Sequence, residues 1–140
     1  MGFTPESNKT DVKVPLEFLT NAIKKRCTAF VLSDFITAAD YKNALTIATR
    51  IHDVVAIQVY DRRVAELPRI GLMKVRDAES GEEVYVDTSS SKVQEAQRKW
   101  WHEQCTTTES IFAKSRVDSV SVRTDEDYVK ALMAMFAKRG

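Results

Sequence analysis

Ser33 and Asp34 close the apolar, β-branched run Thr28-Ala29-Phe30-Val31-Leu32, and Asp61 closes a second run, Val54-Val55-Ala56-Ile57-Gln58-Val59-Tyr60. In an open α/β sheet the C-terminal ends of the strands are where loops and helix N-termini converge, so polar groups placed there meet ligands. Asp34, with the Ser33 hydroxyl beside it, therefore stands where function should concentrate, and Asp61 could line the same crevice, for partner recognition or for hydrolysis or phosphotransfer. A plainer role stands beside these. Ser33 and Asp34 can cap the loop that follows them, and Asp61 can accept loop N–H groups.

Other reactive side chains form no pattern. Ser33 as a nucleophile needs a histidine partner and a glycine-rich elbow, which the sequence does not present. His52 and His102 read as helix-surface residues. Cys27 and Cys105 are far apart without paired-ligand spacing, which favours two reduced thiols over a disulfide or a zinc site. Neither a Walker nor a dinucleotide phosphate loop is present. Of the adjacent Trp100 and Trp101 only one can point inward, which makes Trp100 a candidate partner-binding residue; the alternative is that both pack on a neighbouring hairpin.

Charge narrows the field. The 140 residues carry 21 Lys plus Arg against 20 Asp plus Glu, a net charge of +1. That balance offers no footprint for a phosphate backbone, so nucleic acid is not expected as a partner. No apolar run approaches the roughly 20 residues of a membrane span, and no apolar export region opens the chain, so a cytoplasmic location is expected.

The elements that position these residues follow from periodicity. Residues 1–9 are polar and aperiodic and are expected to be disordered. Val12, Leu16, Leu19 and Ile23 mark a helix opened by Thr10 or Asp11 and closed by Lys24-Lys25-Arg26. Residues 28–34 read as an interior strand buried on both faces. Thr37-Ala38-Ala39-Asp40 has capping-box-like spacing ahead of a helix with Tyr41, Leu45, Ala48 and Ile51 on one side. A strand over 54–60 completes a βαβ unit with parallel pairing. Residues 70–76 and 82–87 form a hairpin around Asp77-Ala78-Glu79-Ser80-Gly81. A long helix spans 92–114, a further strand 117–123, and a last helix, capped by residues 124–127, buries Val129, Leu132, Met133 and Phe136. The fold class is α/β, a three-layer, Rossmann-like sandwich with a mainly parallel sheet and an inserted β-hairpin.

The wording of the motifs carries more than their periodicity. Lys9-Thr10-Asp11, Phe30-Val31-Leu32-Ser33-Asp34-Phe35, His52-Asp53-Val54-Val55-Ala56, Val59-Tyr60-Asp61, Glu66-Leu67-Pro68, Gly71-Leu72, Asp77-Ala78-Glu79-Ser80-Gly81-Glu82, Val86-Asp87-Thr88 and Thr124-Asp125-Glu126-Asp127-Tyr128 together resemble the C-terminal half of the bacterial domain of unknown function 58. That family is von Willebrand factor A-like and is often encoded beside MoxR-type AAA+ ATPases.

The resemblance implies a partial von Willebrand factor A-like domain over residues 10–140. It implies a Mg²⁺ site in the full-length protein, with Thr10 as the second-loop ligand and Asp34 as the third-loop ligand. The first loop, Asp-x-Ser-x-Ser, is placed upstream of the chain, so the site is incomplete here and no cofactor is expected in these residues alone. The functional expectation is a non-enzymatic protein–protein interaction domain working with a MoxR-type ATPase, with Ser33, Asp61 and Trp100 facing a partner. The alternative is a metal-dependent hydrolase or phosphotransfer domain using Asp34 and Asp61. A strand deprived of its upstream neighbour would also expose a sheet edge, which is expected either to self-associate or to be covered by an N-terminal segment folding over it.

Overall fold

The computed structural model describes residues 3–4, 11–36, 40–78 and 80–139. In chain order its elements are β1 (Phe3–Thr4), α1 (Lys13–Ala22), β2 (Thr28–Ser33), α2 (Lys42–Ile51), β3 (Asp53–Tyr60), α3 (Arg62–Ala65), β4 (Leu72–Asp77), β5 (Glu83–Asp87), α4 (Ser91–Ser115), β6 (Asp118–Arg123) and α5 (Tyr128–Arg139). They divide into two compact units, one of residues 10–60 and 108–140, the other of residues 1–9 and 61–107.

The first unit holds a parallel sheet of order β2-β3-β6, in register Phe30↔Val55 and Val31↔Ala56 on one side and Ile57↔Val120 on the other. Its central strand is β3, whose residues Val54 to Gln58 are all buried, as an apolar run covered on both faces should be. Against one face pack Val12 and Leu16 from the α1 region and Tyr41, Leu45 and Ala48 from the α2 region, meeting Val31, Val54 and Ala56. Ile111 and Phe112, from the end of α4, join the same core. Against the other face lies α5, where Phe136 meets Phe30 edge-on at 5.7 Å between ring centres. Helices on both faces of a parallel sheet make the three layers expected of the α/β class.

Three expectations change. β2 is an edge strand and alternates between half-buried and exposed residues, with Phe30 46% and Leu32 64% exposed, instead of being interior and buried on both faces. The reason is its place in the sheet: among the described residues no strand pairs with its outer side. α1 ends at Ala22, so Lys24-Lys25-Arg26 lies beyond the helix instead of closing its last turn. On α5 the buried side is Met135, with Ala131 and Leu132 half-buried, while Val129, Met133 and Phe136 are 50%, 66% and 46% exposed. The helix meets the sheet through one narrow face, and the apolar residues beside that face are left uncovered.

Short side chains start the helices. Asp11 Oδ1 accepts the Lys13 N–H and Asp40 Oδ1 accepts the Lys42 N–H, each at 3.0 Å. The rest of the capping box, residues 37–39, lies outside the described residues.

The second unit interrupts the first between β3 and β6. β4 and β5 form the expected antiparallel hairpin, pairing Met73↔Val86 and Val75↔Val84, and β1 pairs with β4 through Phe3↔Asp77 and Thr4↔Arg76. The turn closes where Gly81, at φ 76°, donates its N–H to the Asp77 carbonyl. Leu67 and Val75, with Met73, Val84, Val86 and Val93, make a core of its own. What the sequence presents as a hairpin is thus a small sheet with helical cover.

Candidate functional site

Asp34 directly follows β2, at the C-terminal rim of the parallel sheet, where the sequence places it. Its Oδ1 accepts the Ile36 N–H at 2.9 Å, and Ser33 Oγ accepts the Phe35 N–H at 3.0 Å. Between them Phe35 takes φ 57°, a left-handed conformation rarely adopted by a bulky residue and costing about 1–3 kcal/mol. Burial compensates: the Phe35 ring meets Phe112 at 4.9 Å and Tyr41 at 5.9 Å. Ser33 and Asp34 therefore cap the strained turn that drives Phe35 into the core.

The rim continues through two residues the sequence reading passed over. Gln58, buried on β3, donates from Nε2 to the Asp34 carbonyl at 3.4 Å and accepts the Ser121 hydroxyl of β6 at 2.7 Å. The signal was available: Gln58 is the one polar residue inside the run from Val54 to Tyr60, and a buried amide needs partners. One polar line thus crosses the ends of β2, β3 and β6. Desolvation pushes the Asp34 carboxyl above its ordinary pKa, and the Ile36 N–H opposes that shift.

Asp61 belongs to the second unit. It caps α3, its Oδ1 accepting the Arg63 N–H at 2.8 Å and its Oδ2 meeting the Arg63 guanidinium at 2.9 Å. The Arg63 side chain holds its carboxyl below the ordinary range. Trp100 is only 6% exposed, and Trp101, half-buried, is the more accessible of the pair. Thr10 lies outside the described residues.

His52, read from sequence as a surface residue, is 1% exposed. Its Nδ1 accepts the Cys27 N–H at 3.1 Å, so Nε2 carries the proton and faces the carbonyls of Leu19 and Ile23 at 2.9 and 3.1 Å. A chain emerging from helix into strand leaves these backbone groups unpaired, and one imidazole serves all three.

Residues 1–107 match the protein family described as "Protein of unknown function DUF58". The chain belongs to the DUF58 family. Uncharacterized proteins of Mycobacterium bovis and Mycobacterium tuberculosis are each 34% identical to it over 77 residues, which cover 55% of this chain and 24% of the relative. One of Mycobacterium avium is 32% identical over 77 residues, covering 46% of that protein. The match thus spans less than half the length of these relatives. A solved structure, the conserved hypothetical protein BatB from Bacteroides thetaiotaomicron, aligns with 95% of this chain and 60% of its own at 15% identity and a TM-score of 0.46.

The metal site expected by resemblance to DUF58 proteins can be tested on the donor atoms. Mg²⁺ takes six oxygens in near-octahedral array. At the rim Asp34 Oδ1 and Ser33 Oγ already accept backbone N–H groups, and among the described residues no group of three or more His, Cys, Asp and Glu is arranged to hold a metal. The described rim does not supply a Mg²⁺ shell.

The expectation that the Asp-x-Ser-x-Ser loop lies only upstream needs correction, because those letters do occur, as Asp87-Thr88-Ser89-Ser90-Ser91. Here they join β5 to α4 and act as a cap. Asp87 Oδ1 accepts the Ser89 N–H at 3.0 Å, the buried Thr88 hydroxyl donates to the Gly71 carbonyl at 2.7 Å, and Ser90 Oγ accepts the Val93 N–H at 3.4 Å.

Proposed function

We propose that this DUF58 chain is a non-enzymatic protein-interaction domain whose partner is a MoxR-type AAA+ ATPase. The observation that carries the reading is the outer side of α5, where Val129 and Met133 stand exposed one turn apart, flanked by Tyr128 and by the part of the Phe136 ring that its contact with Phe30 leaves open. Contiguous apolar surface of this kind costs solubility unless something covers it, and such patches mark interaction sites. Residues at i, i+4 and i+7, the spacing of Val129, Met133 and Phe136, can anchor a helix against an apolar groove. The family resemblance supplies the ATPase as the candidate, and a partner that hydrolyses ATP puts the encounter in the cytoplasm. Among the described residues no helix is long and apolar enough to cross a membrane.

The test is direct binding of a purified MoxR-type ATPase to the immobilised chain. Wild type should bind, and Met133→Glu or Val129→Glu should weaken binding at least about tenfold. Absence of wild-type binding would remove the ATPase from the proposal. Phosphatase turnover that disappears in Asp34→Ala would overturn the non-enzymatic reading itself.

A further inference from the structure

We propose that Cys27 is a redox-modification site: the His52 imidazole takes the thiol proton as the sulfur attacks a hydroperoxide, leaving a sulfenic acid on the chain. The inference is separate from partner binding through α5 and goes beyond it.

The β2–β3 ladder makes the pair. Cys27 immediately precedes β2 and His52 immediately precedes β3, and the Asp53 N–H donates to the Cys27 carbonyl at 2.9 Å, one step before the register Thr28↔Asp53 begins. Residues 25 positions apart are thereby neighbours at the N-terminal end of the sheet, the end opposite Asp34. Only the side of β2 that faces β3 is used, so the outer edge of the strand plays no part. Cys27 Sγ lies 3.4 Å from His52 Nδ1, a hydrogen-bond distance for sulfur.

A nucleophile within reach of a base, with the base held by a third group, is the arrangement that activates a thiol. The third group here is backbone. The carbonyls of Leu19 and Ile23 stand 2.9 and 3.1 Å from Nε2, so the ring carries its proton there and turns the Nδ1 lone pair toward Cys27. Cys27 is half-buried, so the sulfur keeps a path to solvent while the imidazole beneath it does not. The local charge favours negative sulfur. Lys24, Lys25 and Arg26 precede Cys27, with the Arg26 guanidinium on the Ile51 carbonyl at 3.4 Å. Asp53, the acid next to His52, is occupied by Arg139, which also binds Asp118. Reactive thiols occupy positive, partly exposed surroundings of this kind.

The S–H proton of Cys27 passes to Nδ1, an S–O bond forms as the O–O bond of the peroxide breaks, and the departing hydroxide takes the proton from Nδ1 and leaves as water. Sulfur gives up two electrons, the peroxide gains them, and His52 ends neutral. The Cys27 N–H, which shares the Nδ1 lone pair at 3.1 Å, regains it once the ring has released the proton.

Hydrogen peroxide with excess dimedone, which captures sulfenic acids, is the probe, and peptide mass spectrometry reads Cys27 apart from Cys105. The folded wild-type chain should label at Cys27 at least about tenfold faster than the same chain in urea, where the pair is lost. A half-buried thiol without a base does the reverse, because unfolding exposes it. His52→Gln keeps a donor and an acceptor but takes no proton, and should slow labelling of the folded chain at least about tenfold. If His52 served structure alone, its loss would loosen the end of α1, and labelling would quicken or stay the same. The wild-type comparison with urea stands even where the variant fails to fold.

Labelling no faster folded than in urea overturns the proposal, as does the absence of a dimedone adduct at Cys27. A folded His52→Gln chain as reactive as wild type overturns it too. None of these results bears on ATPase binding through α5, which Met133→Glu reports separately.

Discussion

Asp34 Oδ1 lies 2.9 Å from the backbone nitrogen of Ile36, and the residue between them, Phe35, sits at φ 57°. The carboxylate is half-buried because the turn it caps must carry an aromatic ring inward. Its pKa is raised by desolvation, with the Ile36 N–H pulling the other way. A carboxyl with a higher pKa folded than unfolded binds its proton more tightly in the folded state. Stability should therefore fall as pH rises from the unfolded to the folded value and level off above it. Asp34→Asn keeps an acceptor and removes the charge, so it should be neutral or stabilising at pH 7 and flatten that acid-side slope. Asp34→Ala loses the acceptor and should cost about 0.5–1.5 kcal/mol in urea unfolding. An Asn variant clearly less stable than wild type at pH 7 would show that the charge stabilises the fold, against the direction that desolvation gives it.

Asp61 should behave in the opposite sense. Arg63 lowers its folded-state pKa by hydrogen bonding and charge. Such a group contributes stability above its unfolded pKa and loses it as pH falls through the lowered value. Removing the carboxylate with Asp61→Asn should therefore make the second unit slightly less stable at neutral pH, and the difference from wild type should vanish in acid. Because the pair is exposed to solvent, the effect should also shrink in high salt. Thermal melts at two ionic strengths check both signs.

Periodicity made the parallel ββ pairing of residues 28–33 with 53–60, the stripe of Tyr41, Leu45 and Ala48, and the 72–87 hairpin legible, because each is a local pattern with one solution. It misplaced β2, since an apolar run looks the same in the middle of a sheet and at its edge, and only the third dimension says which side lacks a neighbour. On α5, Val129, Met133 and Phe136 satisfy helical spacing as well as Met135 does; which stripe is buried depends on how the helix meets β6. The candidate site shows the same division. Asp34 at the strand end followed from the run before it, whereas its link to Gln58 and Ser121 joins residues 63 positions apart, a distance no local pattern spans.

His52 gives a third prediction. Its ring accepts the Cys27 N–H and faces the carbonyls of Leu19 and Ile23 near the end of α1. Replacement by alanine leaves those half-buried groups without the ring and should cost about 1–3 kcal/mol. His52→Gln, which offers one donor and one acceptor, should recover part of the loss. The nitrogen chemical shifts of the ring, read by NMR, should report a proton on Nε2; a proton on Nδ1 at neutral pH would contradict the arrangement.

The fourth prediction concerns the second unit, whose apolar core is small. Gln94 is 1% exposed and donates from Nε2 to the carbonyls of Leu67 and Thr88 at 2.9 and 2.6 Å, while the buried Gln97 donates to the Val64 carbonyl at 2.7 Å. Three residues apart on α4, these amides face the same way and tie α3, the segment after it and the end of β5 to one helix. Leucine at either position has nearly the right volume but cannot donate, which strands buried carbonyls. Gln94→Leu should cost about 2–4 kcal/mol and Gln97→Leu about 1–3 kcal/mol. Each unit has its own core, so the damage should be local: hydrogen exchange should quicken at Met73, Val75 and Val84 while amides of β3 keep their protection. Equal loss of protection in both would mean that the units unfold as one, and that the chain's stability cannot be divided at Tyr60 and Thr108.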